Sequence, residues 1–350
     1  MIIADSIKII VPSILTCIVG VLITPFLSSF LYKHKMWKKK SVAITTDGQQ
    51  ATVTGQLHND GERQVPRMGG VIIWGSVILV VIFIAILKYF SPTYFDAFSY
   101  FSRSQTWILL SVFIGSACFG LIDDYLVCTD KGNYKGGGLS VMSRLAFVFI
   151  LGLCVGLWFY FKLDYTTIYL TLGYTLTLGF FIIPLSVVLF IGLYSGGVID
   201  GIDGLSGGVF ASMFSAYGFI AFAQGQIDIA ALCLSIVGGI LAFLWFNIPP
   251  ARFFLSETGS MSLTLTLGVI ALLTTQVFVL FIVGLPLFVT AGSSLIQILS
   301  KKLRNGKKVF LVAPLHNHFQ ALGWPSYKVT MRYWIISVFC SITGVIVALI

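Results

Sequence analysis

Charge is what this sequence of 350 residues has least of. Asp, Glu, Lys and Arg together make up 10% of it, against roughly a quarter in an average soluble domain. Hydrophobic residues reach 57%, with 30 Phe, and the mean hydropathy is +0.96. Too little polar surface is available to cover a water-soluble globule, which excludes a soluble enzyme, a coiled coil and a disordered chain. The six cysteines (Cys17, Cys118, Cys128, Cys154, Cys233 and Cys340) are scattered. They follow neither a metal-ligand spacing nor a disulfide framework, so a secreted disulfide scaffold is excluded as well. A cleavage site after the first hydrophobic segment is missing, so that segment reads as a true span. No internal repeat supports an inverted-repeat transporter.

Long apolar runs are abundant instead. About 20 apolar residues cross a bilayer core, and ten stretches qualify: about 7–32, 69–90, 106–127, 142–162, 178–196, 207–223, 229–246, 260–275, 276–300 and 332–350. The eighth and ninth are divided at Thr274-Thr275-Gln276, where no charge separates them. The expected fold is an all-α polytopic membrane protein, one integral-membrane domain over 1–350. Its cytoplasmic loops fall at about 33–68, 128–141, 197–206, 247–259 and 301–331. Of 22 Lys and Arg, eighteen fall in or just beside this set of connections and only Lys8, Lys88, Arg103 and Lys162 on the other side. Such asymmetry places the richer set in the cytoplasm and both termini outside. On the outer side, Tyr169-Leu-Thr-Leu172 and Thr175-Leu-Thr-Leu178 flank Gly173-Tyr174, a pattern expected of a small β-hairpin with a two-residue turn.

The acids are sorted too. Nine of 13 fall on the cytoplasmic side, and five of these stand at or next to inner span ends: Asp123, Asp124, Asp200, Asp203 and Glu257. A carboxylate near hydrocarbon is costly and usually functional. Acids from three helix ends at one depth can converge on Mg²⁺, which takes one or two carboxylates and fills its sphere with water and substrate phosphate. Three-residue spacing would put Asp200 and Asp203 on one face if that turn is helical. The plainer reading is that these acids cap helices and pair with cytoplasmic bases; it suits Asp130 and Asp60 better than the doublet, whose like charges repel without an intervening cation. Gly201 and Gly204 beside the paired aspartates fit a backbone that approaches a ligand closely, whereas Gly207-Gly208 serves helix packing equally well.

The last loop holds Pro314-Leu-His-Asn-His-Phe-Gln-Ala-Leu-Gly-Trp-Pro325, with His316 and His318 near Lys307 and Lys308. No Cys or third His stands by to complete a zinc site, so phosphate or sugar recognition suits the imidazoles better, with a structural role open for His318. The topogenic role suffices for Lys38–Lys40. Together these features point to Mg²⁺-dependent phosphate chemistry on a lipid at the membrane, where positioning and charge neutralisation do most of the catalysis. Nothing in them points to a nucleic-acid partner.

Several motifs also carry a resemblance. Pro66-Arg-Met-Gly-Gly70, Asp123-Asp-Tyr125, Asp200-Gly-Ile-Asp-Gly-Leu205 and Phe246-Asn247 through Gly259-Ser260 resemble successive motifs of the polyprenyl-phosphate N-acetylhexosamine-1-phosphate transferases. Ala313 through Pro325, followed by Arg332-Tyr-Trp-Ile-Ile-Ser337, is more specifically similar to the bacterial phospho-N-acetylmuramoyl-pentapeptide transferases. That resemblance implies UDP-N-acetylmuramoyl-pentapeptide and undecaprenyl phosphate as substrates, lipid I and UMP as products, a Mg²⁺ requirement, a cytoplasm-facing site in the bacterial plasma membrane, and a homodimer. By matched position it implies catalytic roles for Asp123, Asp124, Asp200 and His316. Asp203, Asn247, Phe254, His318 and Arg67 would bind substrate, Phe254 by stacking on uracil. Glu257 and Asp200 would bind the metal.

The pattern is departed from at several points. Ser256-Glu257 stands where the family has Gly-Asp, Gly197 where it has Asn, Asn317 inside its triple-His run, and Gln320 for a Glu. Two family lysines fall at Glu62 and Val127. The alternatives are a UDP-N-acetylglucosamine-1-phosphate transferase, to which Pro66-Arg67 is closer, and a non-catalytic paralogue that binds the lipid carrier.

Overall fold

The computed structural model describes residues 2–38, 64–91, 98, 104–132, 137–170 and 174–350. Glu62, Lys39, Lys40, Asp47, Asp60, Arg63, Arg103, Lys135 and the expected turn residue Gly173 lie outside them. Long helices follow one another as the apolar runs require: α1 (Ile2–Lys33), α2 (Gly70–Phe90), α3 (Ser104–Thr129), α4 (Val141–Trp158), α5 (Ile182–Gly196), α6 (Leu205–Ala223), α7 (Ile227–Asn247) and α8 (Ser256–Leu273). After them come α9 (Val277–Val283), α10 (Leu285–Leu303), the short α11 (Leu315–Ala321) and α12 (Ser326–Leu349). Among the described residues, nine helices are long and apolar enough to cross a membrane by themselves. The architecture is that of a multi-pass helical membrane protein, and all six cysteines are free thiols.

The ninth expected span differs. Residues 277–303 form two helices bent by 77° at Gly284 rather than one straight helix. Leu285-Pro286 explains the break, because Pro286 has no amide hydrogen to continue the ladder of α9 and is tolerated only in the first turn of a new helix. Upstream, the division between α8 and α9 falls at Thr274–Gln276, with Thr275 at φ 58°.

The hairpin is present, with β1 (Thr167–Tyr169) antiparallel to β2 (Thr175–Thr177). Its register is not the expected one. Tyr169 faces Thr175 and Leu170 N donates to Tyr174 O at 2.7 Å, whereas a two-residue turn at Gly173-Tyr174 would set Leu172 opposite Thr175; residues 171–173 lie outside the described ones. Burial of Ile168, 3% exposed, and donation from Tyr169 N to Thr275 O at 2.9 Å set the register, since a slip of one residue would turn Ile168 outward.

At the centre stands α8, packed against α2, α3 and α5. Its mean hydropathy of 1.3 is the lowest of the candidate spans, yet 94% of it is buried; α2, at 3.0, is 39% buried. Helices facing lipid must be apolar, whereas one surrounded by protein can carry Ser and Thr that bond back to their own helix. Thr264 does so to Ser260 O at 2.8 Å and Thr274 to Ile270 O at 2.8 Å. Every residue of α8 is buried except Glu257.

Candidate active site

The first turn of α8 is where the predicted acids meet. Four amide N–H groups open every α-helix without partners, and here aspartates from two distant segments accept from them. Ser256 N donates to Asp200 Oδ2 at 2.8 Å, and Thr258 N to Asp124 Oδ2 at 3.0 Å. Negative charge at a helix N-terminus also complements the helix dipole. Asp124 spends its other oxygen on Arg67, whose Nε and Nη2 lie 3.0 and 2.9 Å from Oδ1. Burial works to lower the Arg67 pKa, but Asp124 beside it outweighs that and holds the guanidinium above its usual range.

Arg67 itself is placed by backbone pairing. Phe254 N donates to Pro66 O at 2.9 Å and Gly69 N to Phe254 O at 2.8 Å, so Pro66-Arg-Met-Gly-Gly70 runs alongside 254–255. Phe254 is half-buried on that segment.

Asp123 points elsewhere. Its Oδ1 accepts from Leu139 N at 2.6 Å, and its Oδ2 lies 4.0 Å from Arg144 Nη1. The same nitrogen donates to Glu257 Oε1 at 2.8 Å. The sequence marks Arg144 only as one more topogenic base, yet it is the hub between Asp123 and Glu257, and its buried Nε has no hydrogen-bond partner. The available signal was a lone base in the first turn of an apolar helix, just after the cap at Ser140, whose Oγ accepts from Ser143 N.

The Asp200–Asp203 turn is not one helix face. A 3₁₀ turn (Gly197–Ile199) ends at Asp200, and Gly204 takes φ +75°, a conformation that needs glycine. Asp200 Oδ1 accepts from Ser206 Oγ at 2.8 Å, and Asp203 Oδ2 accepts from Ala251 N at 3.1 Å. Burial raises the Asp200 carboxyl above its usual pKa, with the Ser206 hydroxyl and the Ser256 amide pulling the other way. Asn247 joins this turn to the next loop: its Oδ1 accepts from Gly204 N, and its Nδ2 donates to Phe253 O, both at 2.8 Å. Its amide is therefore committed to backbone.

His316, 1% exposed, packs directly on Gly201, where a Cβ would overlap Nε2. The glycine does permit a close approach, and what approaches is the chain's own imidazole. His318 is separate: Nδ1 accepts from Leu311 N at 3.2 Å, and its ring meets Phe310 edge-on. Lys307 and Lys308 are exposed.

No group of three His, Cys, Asp or Glu side chains forms a preformed metal cage among the described residues. Asp200, expected at a metal with Glu257, spends both oxygens on protein donors. Among the described residues, Glu257 Oε2 accepts no hydrogen bond and Asp123 Oδ2 has only the long contact with Arg144. Two such hard oxygens fit Mg²⁺, which needs no more than one or two carboxylates. With two arginines beside them, the arrangement suits anionic phosphate chemistry.

Comparison with known proteins agrees. The family model described as glycosyl transferase family 4 matches residues 106–275, a range that holds Asp123, Arg144, Asp200 and Glu257. A phospho-N-acetylmuramoyl-pentapeptide-transferase of Thermodesulfovibrio yellowstonii is 32% identical over 85% of both chains. Relatives with the same name from Francisella philomiragia and a Geobacillus species are 31% and 30% identical; the matches cover 95% of this chain, and 91% and 95% of theirs. The chain belongs to the phospho-N-acetylmuramoyl-pentapeptide-transferase family and is a membrane-spanning phosphotransferase.

Proposed function

We propose that this chain transfers phospho-N-acetylmuramoyl-pentapeptide from its UDP donor to undecaprenyl phosphate, giving lipid I and UMP, at the cytoplasmic face of a bacterial plasma membrane. The observation that carries the reading is the pairing of Asp123 and Glu257 across Arg144, at the one position of α8 that is not buried. It lies within a chain related to named transferases along nearly its whole length.

In the reaction, an oxygen of the lipid phosphate attacks the phosphorus attached to the sugar. The bond from that phosphorus to the bridging oxygen breaks, and the oxygen leaves with UMP. An ionised phosphate is already a nucleophile, so the task left to the protein is to bring two anions together. Arg144 would turn its guanidinium from Glu257 to the donor phosphates, and Asp123 would orient the lipid phosphate. Asp124 and Asp200 would hold the first turn of α8, and with it Glu257. His316 would stand against the Asp200 loop, with Asp203 and Phe254 at the nucleotide. Mg²⁺, held by Glu257 and Asp123, would supply neutralising charge to the phosphates when bound.

The feature that pointed towards an N-acetylglucosamine donor was Arg67, and it is bound to Asp124. The relatives named phospho-N-acetylmuramoyl-pentapeptide-transferase support the muramoyl donor. Incubating membranes with each radiolabelled UDP-sugar and undecaprenyl phosphate tests it. Lipid-linked product and UMP are expected from the muramoyl donor; product from UDP-N-acetylglucosamine alone would overturn the assignment.

A further inference from the structure

Downstream of Glu257 the sequence contains no Asp or Glu at all, yet it holds Lys301, Lys302, Arg304, Lys307, Lys308, Lys328 and Arg332. Five of these seven bases fall within eight residues at the end of α10. Lys302, Arg304, Lys307 and Lys308 are exposed and form no ion pair among the described residues. Among the described residues, then, these four bases find no countercharge.

The helix beneath it is amphipathic in an inverted sense. The buried face of α10 carries Thr290, Ser293, Gln297 and Ser300. Leu295, Leu299 and Leu303 lie outside, at 58, 45 and 77% exposure. An apolar outer face belongs in hydrocarbon, so the helix runs in lipid up to Leu303, where the bases begin. Val309 and Leu311 are also exposed among those bases. Apolar side chains that enter the acyl region while Lys and Arg extend to the headgroups mark a membrane-surface contact. A soluble anion would need no such neighbours.

The polar face of α10 clamps the loop between α10 and α11. Gln297 accepts from Val309 N and Phe310 N, both at 3.0 Å, and donates to Phe310 O at 2.8 Å. Ser300 Oγ donates to Lys307 O at 2.9 Å, and Ser293 Oγ accepts from Leu315 N at 2.9 Å. That last bond starts α11, which carries His316 onto Gly201.

We infer that the 301–308 cluster binds the headgroups of anionic phospholipids in the leaflet on the side of the active site, and that this contact holds the loop that seats His316. Attraction of this kind grows with each base near the surface and is screened by salt. The test uses the full chain in phosphatidylcholine membranes, with electron spin resonance of spin-labelled phosphatidylglycerol and phosphatidylcholine. The wild type is expected to prefer phosphatidylglycerol, by a factor that falls as salt is raised. The variant K302Q/R304Q/K307Q/K308Q should lose at least half of that preference. Exchanging Lys for Arg and Arg for Lys at the four positions should keep it, and neutralising the exposed Lys33 and Lys35 should change it less. Equal preference in wild type and the four-site variant, or an equal loss in the Lys33/Lys35 control, would overturn the inference.

A second arm rests on the proposed reaction. In membranes of phosphatidylcholine alone, KM for the donor should be the same in wild type and variant. A raised KM there would assign the cluster to donor phosphate instead. The resonance arm needs no turnover, so it stands whether or not that reaction is the right one.

Discussion

At Arg144, one guanidinium nitrogen lies 2.8 Å from Glu257 and 4.0 Å from Asp123. Removing the side chain leaves two acids facing each other without a cation. Arg144→Ala should therefore reduce turnover by about 10²–10³-fold, the usual cost of losing one preorganised electrostatic partner. Because the contact to Glu257 is made through a single nitrogen rather than a bidentate fork, Arg144→Lys should keep most of the activity, as a kcat comparison in membranes will show. At Gly201 the constraint is steric. Gly201→Ala should displace the His316 ring at a cost of about 1–3 kcal/mol, typical of overpacking. Its effect on activity should vanish in a His316→Ala background, because both changes disturb one contact. Additive losses in that cycle would show that Gly201 acts elsewhere.

At the scale of elements, the N-terminus of α8 ties the site together through Asp124 and Asp200. Asp124→Asn leaves Arg67 without its buried partner and weakens the bond from Thr258 N, so stability should fall by about 3–5 kcal/mol, the range for a broken buried pair. Thermal inactivation should show this in the absence of any substrate, and Arg67→Ala combined with Asp124→Asn should cost less than the sum of the two. Most helices were legible in the sequence because an apolar run of bilayer length reports itself. The split at Thr274–Gln276 was legible too, from three polar residues alone. The 77° bend at Gly284 was not, since hydropathy registers the length of a run and not its direction. The hairpin's alternation was visible, but its register depended on Ile168 and on a bond to Thr275 more than a hundred residues away. The site followed the same rule. Its acids announced themselves as rare charges at span ends. That Asp124 and Asp200 cap α8 while Asp123 and Glu257 share Arg144 is set by pairings across 21 to 134 positions, which no local pattern records.

For the whole molecule, the least apolar of the candidate spans is also the most buried, and it stands at the centre with its one unburied residue, Glu257, at the site. The skewed distribution of bases would put the 301–308 cluster and the β1–β2 hairpin on opposite sides of the membrane. Single cysteines introduced at Arg304 and Thr175 into a chain whose native thiols are replaced should then react with an impermeant maleimide from opposite faces of oriented vesicles. Labelling of both from one face would refute this topology. The central claim, that the first turn of α8 is a phosphotransfer site, is tested most directly by single-turnover release of UMP from UDP-N-acetylmuramoyl-pentapeptide with undecaprenyl phosphate. Wild type should be compared with Asp123→Asn and Glu257→Gln, all purified and shown to be equally folded. Release by the wild type, with a loss of about 10²-fold or more in each variant, is the expected result. Undiminished release in both variants, or none from the wild type, would contradict it.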